Sequence, residues 1–580
     1  MAETLDDLKV RIRELEKEVE RWKSQVKNVR YGLNWMDVPE AFDKDSEDKI
    51  PILEEVSEKA VNAEGLLAGR PPHVIIEGDN YHALTCLNYT HRGKIDVIYI
   101  DPPYNTGSDG FTYKDKRFLT EFPDGQKVPK EHPLRHSYWL SFMEKRLKLA
   151  KNLLSDKGVI FISIDDNEQA NLKLLCDKVF GEGNFVAEFI WEKKKVVQND
   201  AKFTSTNHEY ILSYRKSICL QSFNLLPRTA EANARYENPD NDPKGPWTSV
   251  ALTAKSGSAE NIYDYTFPNG VYWKPNEGAY PRLSKDSLKK AYEENKLWFG
   301  KNGKNVPRLK KYLSEVKQGM VANSVLYCDD VGSTQLAKEQ LKKTINQNIF
   351  DTPKPLGLLE SLSKLVGNNN SIILDFFAGS GTTLHATLNL NKEDDGNRQC
   401  ILVQQSEGDN NICENVTYER NRRVMCGYTN AKGESVEGLG GSLKYYKTGF
   451  VGKHQSKNAN DADKVELAEK AGCLIALAEN TLETIKVPKA AKGFWQIYSD
   501  NVEKKKRYTC IYHNGDYGKV SDFVAKIDEL RAADKKSKFT VYVFSWNSPD
   551  FFENEFDDLK NIEIKAIPKP ILEIYKALNG

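Results

Sequence analysis

The sequence has no CxxC pair and no histidine cluster beside any of its nine cysteines. That argues against a zinc site and a disulfide framework, and the thiol usage fits a reducing cytoplasm. No run approaches the roughly 18 apolar residues that a membrane span requires. The opening MAETLDDLK is acidic and helical, unlike a signal peptide, so the expectation is a soluble protein with no membrane partner. No excess of charge is present either, since Lys+Arg and Asp+Glu both number 83. The whole-chain charge therefore points to no polyanionic partner, and any surface for one must be local. No internal repeat or low-complexity tract is evident. What remains is 580 residues, 29% of them charged, enough for about three to five domains with a sizeable core.

What is present divides the chain. Residues 1–35 carry a heptad: Leu5, Ile12, Val19 and Val26 share one seam position, and Leu8, Leu15, Trp22 and Val29 the other. Such a seam fits a two-stranded coiled coil and a homodimer, or a helix packed on its own protein. From about residue 73, the runs HVIIEG, KIDVIYID and GVIFISID read as buried strands, with an amphipathic helix from Ser137 to Leu154. The pattern resumes with SIILDFF, a helix near Thr383 to Asn391, and QCILVQQSE. Strands alternating with helices imply an α/β fold with a parallel sheet. The sheet is expected to be built from residues 36–194 and 346–445. Between them, 195–345 is rich in Lys, Asn, Pro and aromatics, with hairpin-like pieces such as DYTFPNGVYW, and reads as an insertion. Residues 446–580 read as a C-terminal α+β domain, with a helix from Asp461 to Ile485 and strands FWQIYS, RYTCIYH and KFTVYVFSW.

Two loops carry chemistry. Asp101-Pro102-Pro103-Tyr104-Asn105-Thr106-Gly107 follows the strand KIDVIYI, at the carboxyl end where open α/β sheets bind ligands. Two prolines fix φ and remove two donors, leaving carbonyls as acceptors. With a carboxylate before them and an aromatic face after, the turn suits a planar ring that bears an amino group. The second loop, Asp375-Phe376-Phe377-Ala378-Gly379-Ser380-Gly381-Thr382-Thr383, runs from a strand through a glycine turn into a helix. It resembles a nucleotide-binding turn but lacks the lysine of a phosphate loop.

The DPPY and FAGSG loops together resemble the catalytic and cofactor motifs of DNA amino-methyltransferases that use S-adenosylmethionine. Their order, DPPY first with a long insertion before FAGSG, resembles the β class. The strings GDNYHAL, IDVIYIDPPYNTG, SIDDNE, HEYIL, DTPKPLGLL and DFFAGSGTTLHATLNLN look like the modification (Mod) subunit of type III restriction–modification systems, over about residues 73–445. The resemblance implies a Rossmann-like methyltransferase sheet with an inserted target-recognition module. It implies a site-specific enzyme that methylates adenine N6 of double-stranded DNA by base flipping, with S-adenosyl-L-methionine as cofactor and no metal. A separate helicase–nuclease restriction subunit would do the cutting. Cytosine N4 as the target, or a non-catalytic DNA-recognition subunit, are the alternatives.

By the same resemblance, Asp101 and the Pro102 carbonyl would accept from the target amine, on the turn that Pro103 completes, and Tyr104 would stack on the flipped base. The cofactor would lie on Phe376, Phe377, Ala378, Gly379, Gly381, Thr382 and Thr383, with Glu407 at its ribose. Asp79 would contact its adenine or methionine end, and Lys354 its methionine carboxylate. Asn105, His208 and Tyr210 would lie near the base. For the duplex, residues 282–317 hold 11 Lys+Arg against 4 Asp+Glu, interleaved with Tyr292, Trp298, Phe299 and Tyr312. This stretch, including Arg308 and Lys310, could neutralise phosphates together with Lys193, Lys194 and Lys195, or be a solvated helix face.

Overall fold

The structure, a computed structural model, describes residues 15–16, 35–38, 49–107, 117–122, 125–130, 132–199, 201–345, 350–406, 411–430, 432–500, 502, 505–546, 552, 556 and 562–578. The coiled coil expected over 1–35 lies outside them, apart from Leu15, Glu16 and Trp35.

The apolar runs become strands of one sheet: β1 (Ile50–Glu55), β2 (Val61–Ala63), β3 (His73–Glu77), β4 (Ile95–Ile100), β5 (Leu154–Ile164), β6 (Phe185–Glu192), β7 (His208–Arg215), β8 (Val325–Leu326), β9 (Ile372–Asp375), β10 (Gln399–Gln404) and β11 (Gly441–Val451). Their order is β1-β11-β3-β10-β9-β4-β5-β7-β6-β8, with β2 on β11. From β11 across to β5 every pairing is parallel. Strand β7 runs against both its neighbours. Parallel strands need both faces covered, which is why the runs are continuously apolar. Val74, Ile76, Ile401 and Val403 join one core, while Ile75, Cys400 and Leu402 face another, as the two-residue period requires.

Helices α1 (Asn80–Thr90), α2 (Ser137–Leu153), α3 (Gln169–Phe180), α4 (Thr334–Ile345), α5 (Leu356–Val366), α6 (Thr382–Asp394) and α7 (Glu419–Cys426) connect the strands. Within the sheet Ile373 lies opposite Val97 and Leu374 opposite Ile98. The two motif loops therefore leave adjacent parallel strands at one rim.

Phe223–Ala322 form a compact unit of their own. The boundary expected at 195–345 is too wide, because His208–Arg215 is a central strand and Val325–Leu326 pairs with β6. The polar loop between β6 and β7 gave that strand the look of the insertion. Inside the unit, Trp247–Ala251, Leu297–Trp298 and Arg308–Tyr312 make an antiparallel sheet. Leu252, Phe267, Trp273, Leu288 and Phe299 fill its core. The hairpin in DYTFPNGVYW is present, pairing Tyr265–Thr266 with Tyr272–Trp273.

The C-terminal sheet orders β12 (Glu483–Thr484), β13 (Trp495–Ser499), β14 (Arg507–Tyr512), β15 (Lys538–Phe544) and β16 (Ile562–Ile567) in sequence. The helix expected from Asp461 to Ile485 is two, α8 (Asp461–Lys470) and α9 (Gly472–Glu479), the second ended by Asn480 in the left-handed region at φ 53°. Helices α10 (Val520–Ala533) and α11 (Lys569–Leu578) complete the fold. A cut at 446 falls inside β11, and Leu474, Ile511, Tyr542 and Tyr575 share one core with Ile50, Ile52 and Leu84. This region is thus packed into the sheet rather than set apart from it.

Candidate active site

The proline turn is rigid for a visible reason. Pro102 and Pro103 are buried, and Trp139 Nε1 of α2 donates to the Pro103 carbonyl at 2.8 Å. Asn105 closes the turn at φ 59°, a region asparagine tolerates better than most side chains. It is buried, donates to Glu168 Oε1 at 2.6 Å and accepts from the Arg117 amide at 2.8 Å. These bonds fix the shape of the turn, and the structure places both ends of the Asn105 amide in them.

Asp101 stands at the head of this turn in a network of charges. The Tyr104 hydroxyl donates to Asp101 Oδ1 at 2.6 Å and lies 3.1 Å from Glu209 Oε2. Lys354 Nζ is 2.6 Å from Asp101 Oδ2, 3.1 Å from the Tyr104 hydroxyl and 3.4 Å from Glu209 Oε2. Lys193 Nζ reaches Glu209 Oε1 at 3.2 Å. Burial would lower the Lys354 ammonium, but Asp101 and Glu209 beside it hold it well above the ordinary lysine value. Burial would likewise raise Glu209, and Lys354 and Lys193 hold it below the ordinary value instead. The Tyr104 phenol is pushed well up, by burial first and then by the charges of Asp101 and Glu209.

Lys354, expected at the cofactor, is placed by the structure against Asp101. Its neighbours Pro353 and Pro355 do make a rigid turn, but the turn aims the ammonium at the acid. The flanking pair His208 and Tyr210 also ends elsewhere. Tyr210 donates to Asp166 Oδ1 at 3.0 Å, and the His208 ring packs edge-on against it at 5.0 Å. Glu209 between them is the residue that joins the network. Alternation along a strand puts it on the opposite face from its two neighbours.

The glycine loop is held by side-chain donors on its backbone: a hydroxyl, an amide and a guanidinium. Gly379 (φ +50°) and Gly381 (φ +70°) are left-handed. A Cβ on Gly379 would stand 3.0 Å from the Phe350 ring, and one on Gly381 2.5 Å from Asn421 Nδ2. Three successive carbonyls are taken from one side: Thr417 Oγ1 donates to Gly379 O at 2.6 Å, Arg420 Nη1 to Ser380 O at 3.3 Å and Asn421 Nδ2 to Gly381 O at 3.2 Å. Thr417 sits in the π-helical turn Cys413–Tyr418 that precedes α7. Such turns recur at functional sites. Arg420 is buried, also donates to Thr382 Oγ1 at 2.6 Å, and is lowered to about 9 by burial. At the root of the loop, Asp375 accepts from Thr383 Oγ1 at 2.6 Å and the Phe377 amide at 3.0 Å. Burial raises its carboxyl to about 7.

The two loops meet over one cleft. It encloses about 700 Å³ of empty space, part of it open to solvent, and Asn80, Asp101, Pro103, Phe377, Gly379 and Gln404 line it. Of the residues expected at the cofactor, Phe376, Phe377 and Gly379 reach this cleft. Ala378, Gly381, Thr382 and Thr383 do not line it; they are buried beneath the turn and fix its shape. Asp79 caps α1 by accepting from the Tyr81 amide at 2.7 Å and pairs with buried Arg146 at 3.3 Å. The next residue, Asn80, is the one that lines the cleft, donating to the Phe376 carbonyl at 2.9 Å. Glu407 lies outside the described residues. Gln404, missed in the sequence, accepts from the Gly379 amide at 2.7 Å.

A second cavity of about 780 Å³ is lined by Trp191, Lys193, Lys194, Lys195, Glu209 and Lys354. Lys195 pairs there with Asp329 at 2.5 Å. Within the insertion, Lys310 is not a surface cation: it is buried between Asp240 and Asp242 at 2.5 and 2.6 Å. Tyr312 donates to Asp242 at 2.8 Å, and Phe299 is in the core with Tyr292 packed against it. Exposed Arg308 holds Ser249 Oγ at 2.8 Å.

A family described as DNA methylase matches residues 95–415, more than half of the chain. The chain belongs to this family. Within that class its relatives include the StyLTI Mod subunit of a type III restriction-modification enzyme from Salmonella typhimurium, 36% identical over 457 residues, covering 73% of this chain and 67% of that one. The EcoP15I Mod subunit of Escherichia coli is 31% identical over 387 residues, covering 58% of each. The chain thus spans between 58% and 67% of these relatives' own length. A putative DNA modification methylase from Thermus thermophilus, solved with S-adenosyl-L-methionine, aligns over 64% of this chain and 99% of its own, at 15% identity and a TM-score of 0.30.

Proposed function

We propose that this chain transfers a methyl group from S-adenosyl-L-methionine to adenine N6 in a short sequence of double-stranded DNA, as the modification subunit of a type III restriction–modification system. The observation that carries the reading is the shared cleft, to which Asp101 and Gly379 come from adjacent strands. What supports the cofactor there is the lining: Phe350, Phe376 and Phe377 bring aromatic rings to the cleft, where a cation is favoured, and a glycine backs it at a place where a Cβ would crowd Phe350. Phe376, Phe377, Gly379, Asn80 and Gln404 would hold it there. When bound, it supplies a methyl group on a sulfonium leaving group, which leaves alignment as the main task of the protein.

The Asp101 carboxylate and the Pro102 carbonyl accept from the two amine hydrogens of a flipped base, which concentrates electron density on nitrogen as it attacks. The Tyr104 ring offers a stacking face, offsetting part of the few kcal/mol that flipping costs. Lys193, Lys194 and Arg308 would meet DNA phosphates. Dimerisation through the N-terminal heptads, a cytoplasmic location and association with a restriction subunit complete the reading.

Incubation with labelled methyl donor and mixed-sequence DNA tests it. Label in N6-methyladenine is the expected result, and N4-methylcytosine instead would favour the cytosine alternative. No label in DNA would overturn the reading.

A further inference from the structure

Both oxygens of Asp101 already have donors. Tyr104 takes Oδ1 and Lys354 Nζ takes Oδ2, each at 2.6 Å. On the reading above, the target amine must donate to this same carboxylate. An ammonium and an exocyclic amine ask the same of a carboxylate oxygen, one N–H at hydrogen-bond distance. Lys354 also stands between the two cavities. Asp101 lines the cleft of the glycine loop, Lys354 and Glu209 line the second cavity, and Thr352 lines both. Glu209 Oε2, 3.4 Å from Nζ, is a second carboxylate ready to receive the ammonium. Pro353 and Pro355 restrict the backbone on either side, so movement falls to the flexible four-carbon stem.

We propose that Lys354 is a positioning residue that keeps the target amine's place on Asp101 while no base is present, then yields it to the entering base by moving onto Glu209. This rests on the methyltransferase reading and adds to it a reason for the buried lysine. A half-buried carboxylate with no cation beside it tends to take up a proton and lose acceptor strength. The groups facing Asp101 are Lys354 before α5, Tyr104 on its own turn, and Tyr99, Asp375 and Glu209 from β4, β9 and β7. Lys193 acts on it only through Glu209. Lys354 is the one cation in direct contact with it among the described residues.

The test is the pH profile of kcat/KM for methyl transfer to DNA, whose acid limb reports the free enzyme's essential carboxylate. Lys354→Met is expected to move that limb up by about one pH unit or more, and Lys354→Arg to leave it near the wild-type position. Equilibrium binding of labelled S-adenosylmethionine should stay within about twofold of wild type. Lys354→Met combined with Glu209→Gln removes one charge of each sign, keeps the pocket balanced if the single variant fails to fold, and should show a smaller upward limb, because Lys354 touches Asp101 directly and Glu209 does so only through Lys354 and Tyr104. An unmoved limb in the double variant overturns the assignment, as does a tenfold loss of cofactor affinity with the limb unmoved. Label in wild-type DNA alongside an unmoved limb sinks the Lys354 role alone. No label in wild-type DNA sinks both readings.

Discussion

The proline turn and the glycine turn leave neighbouring strands at the same rim, yet they are held by opposite means. Around Asp101 the contacts are ionic: two carboxylates, two ammoniums and a phenol within hydrogen-bond reach of one another. Around Gly379 they are donors on backbone carbonyls, the Thr417 hydroxyl, the Asn421 amide and the Arg420 guanidinium, and the acid at the root of the loop is raised to about 7 by burial. The first loop is tuned by charge and the second by shape. A group that must accept from a weakly basic amine benefits from the former, and a surface that must fit a whole ligand benefits from the latter.

That contrast predicts how each loop breaks. Asp101→Ala should lower the single-turnover rate of methyl transfer by at least about 10²–10³-fold, with cofactor affinity changed only a few-fold; equal losses in both would erase the distinction. Gly379→Ala should do the reverse. Its left-handed φ and the Phe350 ring 3.0 Å from the new Cβ impose strain of about 1–3 kcal/mol. Calorimetric titration should then show cofactor binding weakened by roughly ten- to a hundredfold.

The acids also predict opposite pH behaviour. Asp375 has a folded value near 7 against an ordinary 3.8, so the folded state binds its proton more tightly, and this contribution to stability falls as pH rises from about 4 to 7. The Tm of wild type relative to Asp375→Asn should therefore fall by a few degrees between pH 5 and pH 8. Glu209 is lowered from its ordinary 4.5, so its contribution is present above that pH and is lost as pH falls through the lower folded value. Lys354, raised above 10.5, contributes fully below that pH and loses its contribution only as pH rises through its folded value. Neither should bend the curve between pH 5 and 8, so the change in the wild-type-minus-variant difference over that range reports Asp375 alone. The smallest effect is expected in the insertion: Arg308→Ala should weaken DNA binding only a few-fold, reducing the slope of log affinity on log salt by about 1.

Both loops were legible in the sequence because their function is written in the backbone, as prolines that remove donors and glycines that permit left-handed turns. The strands that carry them were legible because a two-sided burial needs an unbroken apolar run. What was not legible is adjacency. Asn80 and Gln404 are ordinary polar residues until the fold brings them to one cleft, and Thr417, Arg420 and Asn421 are a helix face until they meet three carbonyls. Lys310 read as a phosphate contact because a basic stretch does not reveal which lysine turns inward; the acids Asp240 and Asp242 that bury it lie far upstream. In HEY the sequence drew attention to the imidazole and the phenol, and the carboxylate between them holds the contact. The alternating period of a strand was the available signal, since only one of two neighbouring side chains can face Asp101.

Strand β7 runs against its neighbours, so its first residues, not its last, arrive at the rim where β4 and β9 end. Ile164 at the tip of β5 lies opposite Tyr210, one residue beyond Glu209. Reversing one ribbon thus gives the pocket an acid from a chain segment that enters rather than leaves the sheet. On the parallel ribbons, tolerance to random replacement should dwindle towards the downstream end; here it should dwindle towards the upstream end, with Arg215 far more forgiving than Glu209.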